Sequence, residues 1–205
     1  MTVQVVPMQR AHLAAAAELQ LEAFRGYMNA RLGTRYARAM LDWFMKAEGT
    51  ITLVALDDDG NVIGYVAGAP DGYGAAMSRA IMPAAVRAAL TRPGLLFDAR
   101  VRRRAGERIR SIFTKKSPAA PHSAHLPRPV IALVAIGVAE QARGRGAGAL
   151  LLHEFEARAR ALGMRSMRLS VYDHNAAARR AYEHAGWIAG PGTRAGELSF
   201  TRLLT

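Results

Sequence analysis

An unbroken apolar run, Val130 to Ala139, leads into the glycine-rich segment Arg143-Gly144-Arg145-Gly146-Ala147-Gly148, and a helical pattern follows to Leu162. That order constrains the chain more than any other feature. The apolar run suits a central strand buried on both faces. The helix carries Leu150, Leu151, Phe155 and Leu162 on its apolar face. Glycines let the backbone turn sharply and approach a ligand closely. The free N–H groups at a helix start, with the helix dipole behind them, make an anion site suited to a pyrophosphate. Arg143 and Arg145 add positive charge. The segment therefore predicts a strand, a phosphate loop and a helix.

What surrounds the loop narrows the ligand. No Gly-Lys-Ser/Thr follows, which excludes a mononucleotide P-loop. A dinucleotide fingerprint is nominally met by Gly144-x-Gly146-x-x-Ala149, with Asp173 as a ribose-binding acid. Too little chain remains for further parallel βα units, however, and an antiparallel hairpin precedes the loop. A glycine-rich helix start with no ligand is the third reading, although closely spaced glycines cost helix stability. The 205 residues include no cysteine, so disulfides, thiol catalysis and thiolate metal sites are excluded.

The length suits a single domain over residues 1–205. Thr2 to Val6 reads as a short strand, and Gln9 to Phe24 as a helix. A second helix spans Thr34 to Ala47, with Tyr36, Met40 and Phe44 recurring every four residues. Thr50–Leu56 and Val62–Ala69 form a hairpin over Asp57-Asp58-Asp59-Gly60-Asn61, a polar tip without calcium-loop spacing. Ser166 to Tyr172 alternates as a strand. Asn175 to Ala185 reads as a helix closed by Gly186. Short strands near Trp187–Ala189 and Glu197–Leu204 end the chain.

Residues 75–129 read as an insertion with helices over Met77–Leu90 and Leu95–Phe113, broken at Pro93-Gly94. A proline-rich connector follows. The net charge is +12; between Arg79 and Arg128 there are 12 basic residues against Asp98 and Glu107, so this stretch holds +10 of it. A solvated arginine-rich cover is the plain reading. A patch that steers an anionic acceptor is the functional one. Only Phe97 and Phe113 offer base stacking, which argues against nucleic acid. His122 and His125 have no further ligand cluster beside them, so no metal site is expected.

Two motifs carry a resemblance. Arg143-x-x-Gly146-x-Gly148 resembles the pyrophosphate loop of the GCN5-related N-acetyltransferase (GNAT) superfamily. Asn175-x-x-Ala178-Arg179-x-Ala181-Tyr182-x-x-x-Gly186-Trp187 resembles that superfamily's following motif. The resemblance is strong over about residues 130–190. It implies an α/β fold: a mixed, largely antiparallel central sheet flanked by helices, with an α-helical basic insertion between the third and fourth strands. It implies acetyl-CoA as donor, no metal, and a small-molecule or peptide amine as acceptor. Val138, Ala139 and Glu140 would pair with the pantetheine arm where the strands splay. Arg143, Gly144, Arg145, Gly146, Ala147 and Gly148, with Ala149, Leu150 and Leu151, would hold the pyrophosphate. Asn175 would contact the cofactor, and Tyr182 would sit beside the thioester sulfur.

Elementary acid–base chemistry agrees with the last role. A thiol near pKa 8.5 and a phenol near 10 differ by about 1.5 units, or about 2 kcal/mol, so a tyrosine can reprotonate a departing thiolate. An acceptor amine of pKa about 10 is only about 0.1% neutral at pH 7, so it needs a base or a desolvating site. Some relatives place a glutamate on the fourth strand, but Ile131 to Ile136 is entirely apolar, and Ser170 stands where others place one. Glu22, Glu140, His174, a loop histidine and a water chain to solvent are the candidates. His153 and His184 read as helix-surface residues. Phe24, Tyr27 and Met28 are candidates to wall the acceptor site. The first residues lack a basic-then-apolar signal arrangement, and no apolar run reaches membrane-spanning length, so a cytoplasmic protein is expected. The rival expectation is a non-catalytic acetyl-CoA-responsive or basic surface-binding module on the same fold.

Overall fold

The computed structural model describes residues 2–25, 28–91 and 125–204. Among these, seven strands form one sheet. They are β1 (Gln4–Pro7), β2 (Ile51–Leu56), β3 (Val62–Pro70), β4 (Val130–Val138), β5 (Ser166–Tyr172), β6 (Ile188–Pro191) and β7 (Glu197–Leu203). Their order is β1-β2-β3-β4-β5-β7-β6. Every pairing is antiparallel except β4 with β5. The helices are α1 (Leu13–Ala23), α2 (Met28–Arg31), α3 (Thr34–Lys46), α4 (Gly74–Thr91), α5 (Ala147–Ala161) and α6 (Ala176–His184). The expected mixed sheet with flanking helices is the observed fold.

Adjacent side chains on a strand point to opposite faces, and β3 shows which helix covers which. A Cβ on Gly64 would lie 2.9 Å from Leu151 Cδ1 of α5. The next residue, Tyr65, donates its hydroxyl to Gln20 Oε1 of α1. So α5 covers one face and α1 the other, with α3 packed beside α1. Phe155 of α5 lies so close over β3 that a Cβ on Gly68 would sit 2.4 Å from its ring; only glycine permits that approach. In α3 the predicted stripe of Tyr36, Met40 and Phe44 is buried, each side chain contributing about 1.5–3 kcal/mol by leaving water.

The polar hairpin tip organises itself. Asp57 accepts hydrogen bonds from Asn61 N (2.8 Å), Asn61 Nδ2 (3.1 Å) and Asp59 N (3.0 Å). The Asn61 bonds, led by its backbone N–H, hold the Asp57 carboxyl below its ordinary range. At the other end of the sheet the exit from β3 and the entry to β4 are tied together. Asp71 N–H donates to Val130 O (2.9 Å), and its carboxylate accepts from Arg168 Nη2 at 2.6 Å and Nε at 3.0 Å. Ser166 Oγ donates to Pro127 O (2.8 Å).

Several boundaries differ from expectation. The first helix opens as a 3-10 turn over Arg10–His12, and the helix expected over Met77–Leu90 spans Gly74–Thr91. Leu162 is not part of the buried face of α5: it is the residue after the helix's last turn and is 47% exposed. The expected helix Leu95–Phe113 and His122 lie outside the described residues.

Candidate active site

Strands β4 and β5 pair in parallel only over Val130–Ala132 and Ser166–Arg168. Beyond Ala132 they diverge. A bulge contributes: along β3 the register passes from Ala67↔Ala135 to Gly68↔Leu133, which leaves Val134 unpaired. A bulge sharpens local twist and bends its strand. The gap is a cleft of about 1220 Å³. Its presence corrects the expectation of a strand buried on both faces. The first half of β4 is buried, but Val134, Ile136 and Val138 are only partly so, because they face the cleft.

The glycine-rich loop closes one end. Val138 is followed by a 3-10 turn, Glu140–Ala142, after which Arg143 Nε donates back to Val138 O (3.2 Å). Gly144 (φ 73°) and Gly146 (φ 82°) then take left-handed conformations, which β-carbon-bearing residues adopt only at a cost. Gly146 is the N-cap of α5, and no side chain caps it. The first helical bond runs from Leu150 N to Gly146 O (3.0 Å). The N–H groups of Ala147, Gly148 and Ala149 therefore lead the helix with its positive dipole end behind them, the arrangement that receives a phosphate. Arg143, at the cleft wall, adds a cation.

The loop residues divide by position. Val138, Arg143, Gly144, Gly148, Ala149, Asn175 and Tyr182 line the cleft. Arg145 and Gly146 are exposed at the loop, Ala147 is buried beneath it, and Leu150 is half-buried. Leu151 is fully buried in the core. Ala139 is buried and its N–H donates to Ile63 O (2.9 Å), while Glu140 is exposed. Asn175 caps α6, its Oδ1 accepting from Ala178 N at 3.2 Å; the amide Nδ2 is then the end that a ligand can meet.

Tyr182 is 7% exposed at the cleft wall. Its ring is held by Phe200 (centroids 5.5 Å apart) and Trp187 (6.1 Å). Its electrostatic neighbour is Tyr65, whose phenol is pushed well above the ordinary value, first by burial and second by Tyr182. Tyr65→Phe removes the donor to Gln20, a side chain only 4% exposed. The expected result is a loss of about 1–3 kcal/mol, the cost of an unsatisfied buried acceptor, read by urea unfolding at neutral pH. Because the folded phenol titrates above the unfolded value of about 10, this stabilisation is full below that pH and declines as pH rises through the folded value.

Comparison with known proteins gives one family and one fold. Residues 98–187 match the acetyltransferase (GNAT) family. The structure is similar to that of a GCN5-related N-acetyltransferase from Kribbella flavida, at 20% identity and TM-score 0.61, covering 98% of each chain. It is also similar to a ribosomal-protein-alanine N-acetyltransferase from Brucella melitensis, at 17% identity and TM-score 0.61, covering 98% of this chain and 99% of that one. The Salmonella typhimurium protein yncA, determined with its cofactor acetyl-CoA, aligns at 16% identity and TM-score 0.60 over 99% of this chain and 94% of its own. No curated protein matches the sequence at a significant level. The family match thus covers residues 98–187, and the likeness of fold spans the chain.

The expected base candidates fall away from the cleft. Glu22 is half-buried on α1; Glu140 and His125 are exposed. His174 is exposed, stacks on Tyr172 (5.4 Å) and lies 3.7 Å from Asp173 Oδ1. None of the four lines the cleft. Phe24 does; Tyr27 and the Met28 side chain lie outside the described residues. His153 and His184 are exposed, as expected of helix-surface residues, yet both sit at the cleft rim. The carboxylates that line the cleft are Glu156 of α5 and Glu197 of β7. Neither stands out in the sequence, because strand register and helix packing, not local pattern, bring them there. Among the described residues no helix is long and apolar enough to cross a membrane, and no group of three metal-ligating side chains occurs.

Proposed function

We propose that this domain moves the acetyl group of acetyl-CoA to a primary amine by direct attack, with Tyr182 as general acid. One observation carries the reading: a single cleft holds both the uncapped, glycine-turned start of α5 and the buried phenol of Tyr182. A diphosphate suits the first, since three leading N–H groups and Arg143 offer charge and donors without a competing side-chain cap. A departing sulfur suits the second. The neutral amine nitrogen bonds to the acyl carbon, the carbon–sulfur bond breaks, the Tyr182 hydroxyl proton goes to the thiolate, and the proton shed by the nitrogen passes through water to restore the phenol. The N–H at the Val134 bulge is the donor for the acyl oxygen. Asn175 Nδ2 and the β4 backbone beyond Leu133 hold the pantetheine amides.

Calorimetry with acetyl-CoA, then thiol release over a panel of primary amines, tests the proposal. The panel is phenethylamine, spermidine, a lysine-containing peptide, phenylalanine and glucosamine 6-phosphate. The expected result is saturable donor binding and release of thiol in step with N-acetylated product. Donor binding without thiol release on any amine overturns transfer and favours a non-catalytic acetyl-CoA-responsive module.

A further inference from the structure

Face parity divides the cleft lining into two halves. In an antiparallel pair, residues directly opposite one another share a face. Leu169 pairs with Phe200 and Met167 with Arg202. Phe200 meets Tyr182 of α6, and Arg202 meets Glu156 of α5. That set therefore faces the phosphate helix and the general acid. The alternate set, Ser170 with Ser199 and Tyr172 with Glu197, faces the opposite side, where α1 lies and where Phe24 reaches the cleft. Cleft-lining side chains come from both sets, so the opening passes through the sheet: donor side on α5 and α6, a second mouth on the α1 side.

Glu197 is the carboxylate at that second mouth. Its side chain is 12% exposed, and among the described residues its ion-pair partner is Arg194, 3.8 Å away and 58% exposed, too far for a hydrogen bond. Glu156, the other lining carboxylate, is committed elsewhere, with Arg160 at 2.6 Å and Arg202 at 2.9 Å. A largely buried carboxylate whose described ion-pair partner is distant and solvent-exposed favours a second cation beside it. We infer that Glu197 is the residue that receives the acceptor, binding its ammonium group at the α1-side mouth and selecting cationic amines over anionic ones. This rests on the acetyl-transfer reading above. It runs against the sequence charge of the insertion, which on its own points to an anionic acceptor.

The test is Glu197→Gln, of nearly the same shape, on the five-amine panel. Wild-type turnover is expected to rank phenethylamine, spermidine and the lysine peptide above phenylalanine and glucosamine 6-phosphate. The variant is expected to raise KM for the cationic amines about 10- to 100-fold, with kcat and acetyl-CoA affinity little changed, and to level the charge ranking. A merely structural role would not move that ranking. Unchanged KM for the amines used, or a wild-type preference for the carboxylate- and phosphate-bearing ones, overturns the assignment of Glu197 and leaves acetyl transfer standing. No turnover on any amine removes the transfer reading itself, and this assignment with it. A melting temperature in acetyl-CoA equal to wild type shows that the variant is folded, and Glu197→Asp is expected to recover part of the lost affinity.

Discussion

Tyr182→Phe is expected to lower turnover by about 100- to 10,000-fold, the range contributed by a positioned general acid, while acetyl-CoA still binds with near-normal affinity. On the barrier this is about 2.7–5.5 kcal/mol, at 1.36 kcal/mol per factor of ten. The two observables separate because the ring and the hydroxyl do different work. The ring fills space between Phe200 and Trp187, and phenylalanine keeps that packing. In the proposed mechanism the donor is gripped by the start of α5, on another element, and the hydroxyl alone supplies the proton. Single-turnover thiol release at saturating donor measures the chemical step directly. A high-pH limb in the wild-type profile that the variant lacks is the expected signature of that proton. Turnover within threefold of wild type removes the tyrosine from the mechanism.

The backbone of this site is legible in the sequence. The glycines at 144, 146 and 148 follow an apolar strand and open a helix, and local backbone physics is enough to predict the left-handed turns at Gly144 and Gly146 and the uncapped helix start found there. Tyr36, Met40 and Phe44 recur at a helical period and are buried on that period. The divergence of β4 and β5 was not readable. It depends on three residue pairs forming and the fourth failing, and on the unpaired Val134, none of which leaves a local signature in Val130–Val138. Glu197 was hidden for a related reason. Side-chain face follows from register, and a one-residue slip against Tyr172 would send the carboxylate to the other side of the sheet. Glu156 read as one more polar position on a helix, because its partner Arg202 is 46 residues away.

That partnership sets the second large effect. Arg202 Nη2 donates to Glu156 Oε1 at 3.1 Å, Nε lies 2.9 Å from Oε2 but off the N–H axis, and Nη1 donates to the carbonyl of Ala185. One guanidinium thus joins β7, the phosphate helix α5 and the end of α6. Breaking a buried ion pair by removing one partner costs about 3–5 kcal/mol, because the remaining charge stays desolvated. Arg160 stays within 2.6 Å of Glu156 and offsets part of that, so Arg202→Met is expected to cost about 2–3 kcal/mol. At about 2–4 °C per kcal/mol for a chain of this size, the melting temperature falls by about 4–12 °C. Arg202→Lys keeps the charge but loses the fork, and its melting temperature is expected between the two. Ala185 caps the C-terminus of α6, three residues beyond Tyr182, so releasing its carbonyl loosens the element that carries Tyr182. The Arg202→Met protein, assayed well below its melting temperature, is expected to show a lower kcat with donor affinity retained. A melting temperature within 1–2 °C of wild type, on the scale of a surface substitution of about 0.5 kcal/mol, would mean that packing of Phe200 and Trp187 alone holds α6 in place.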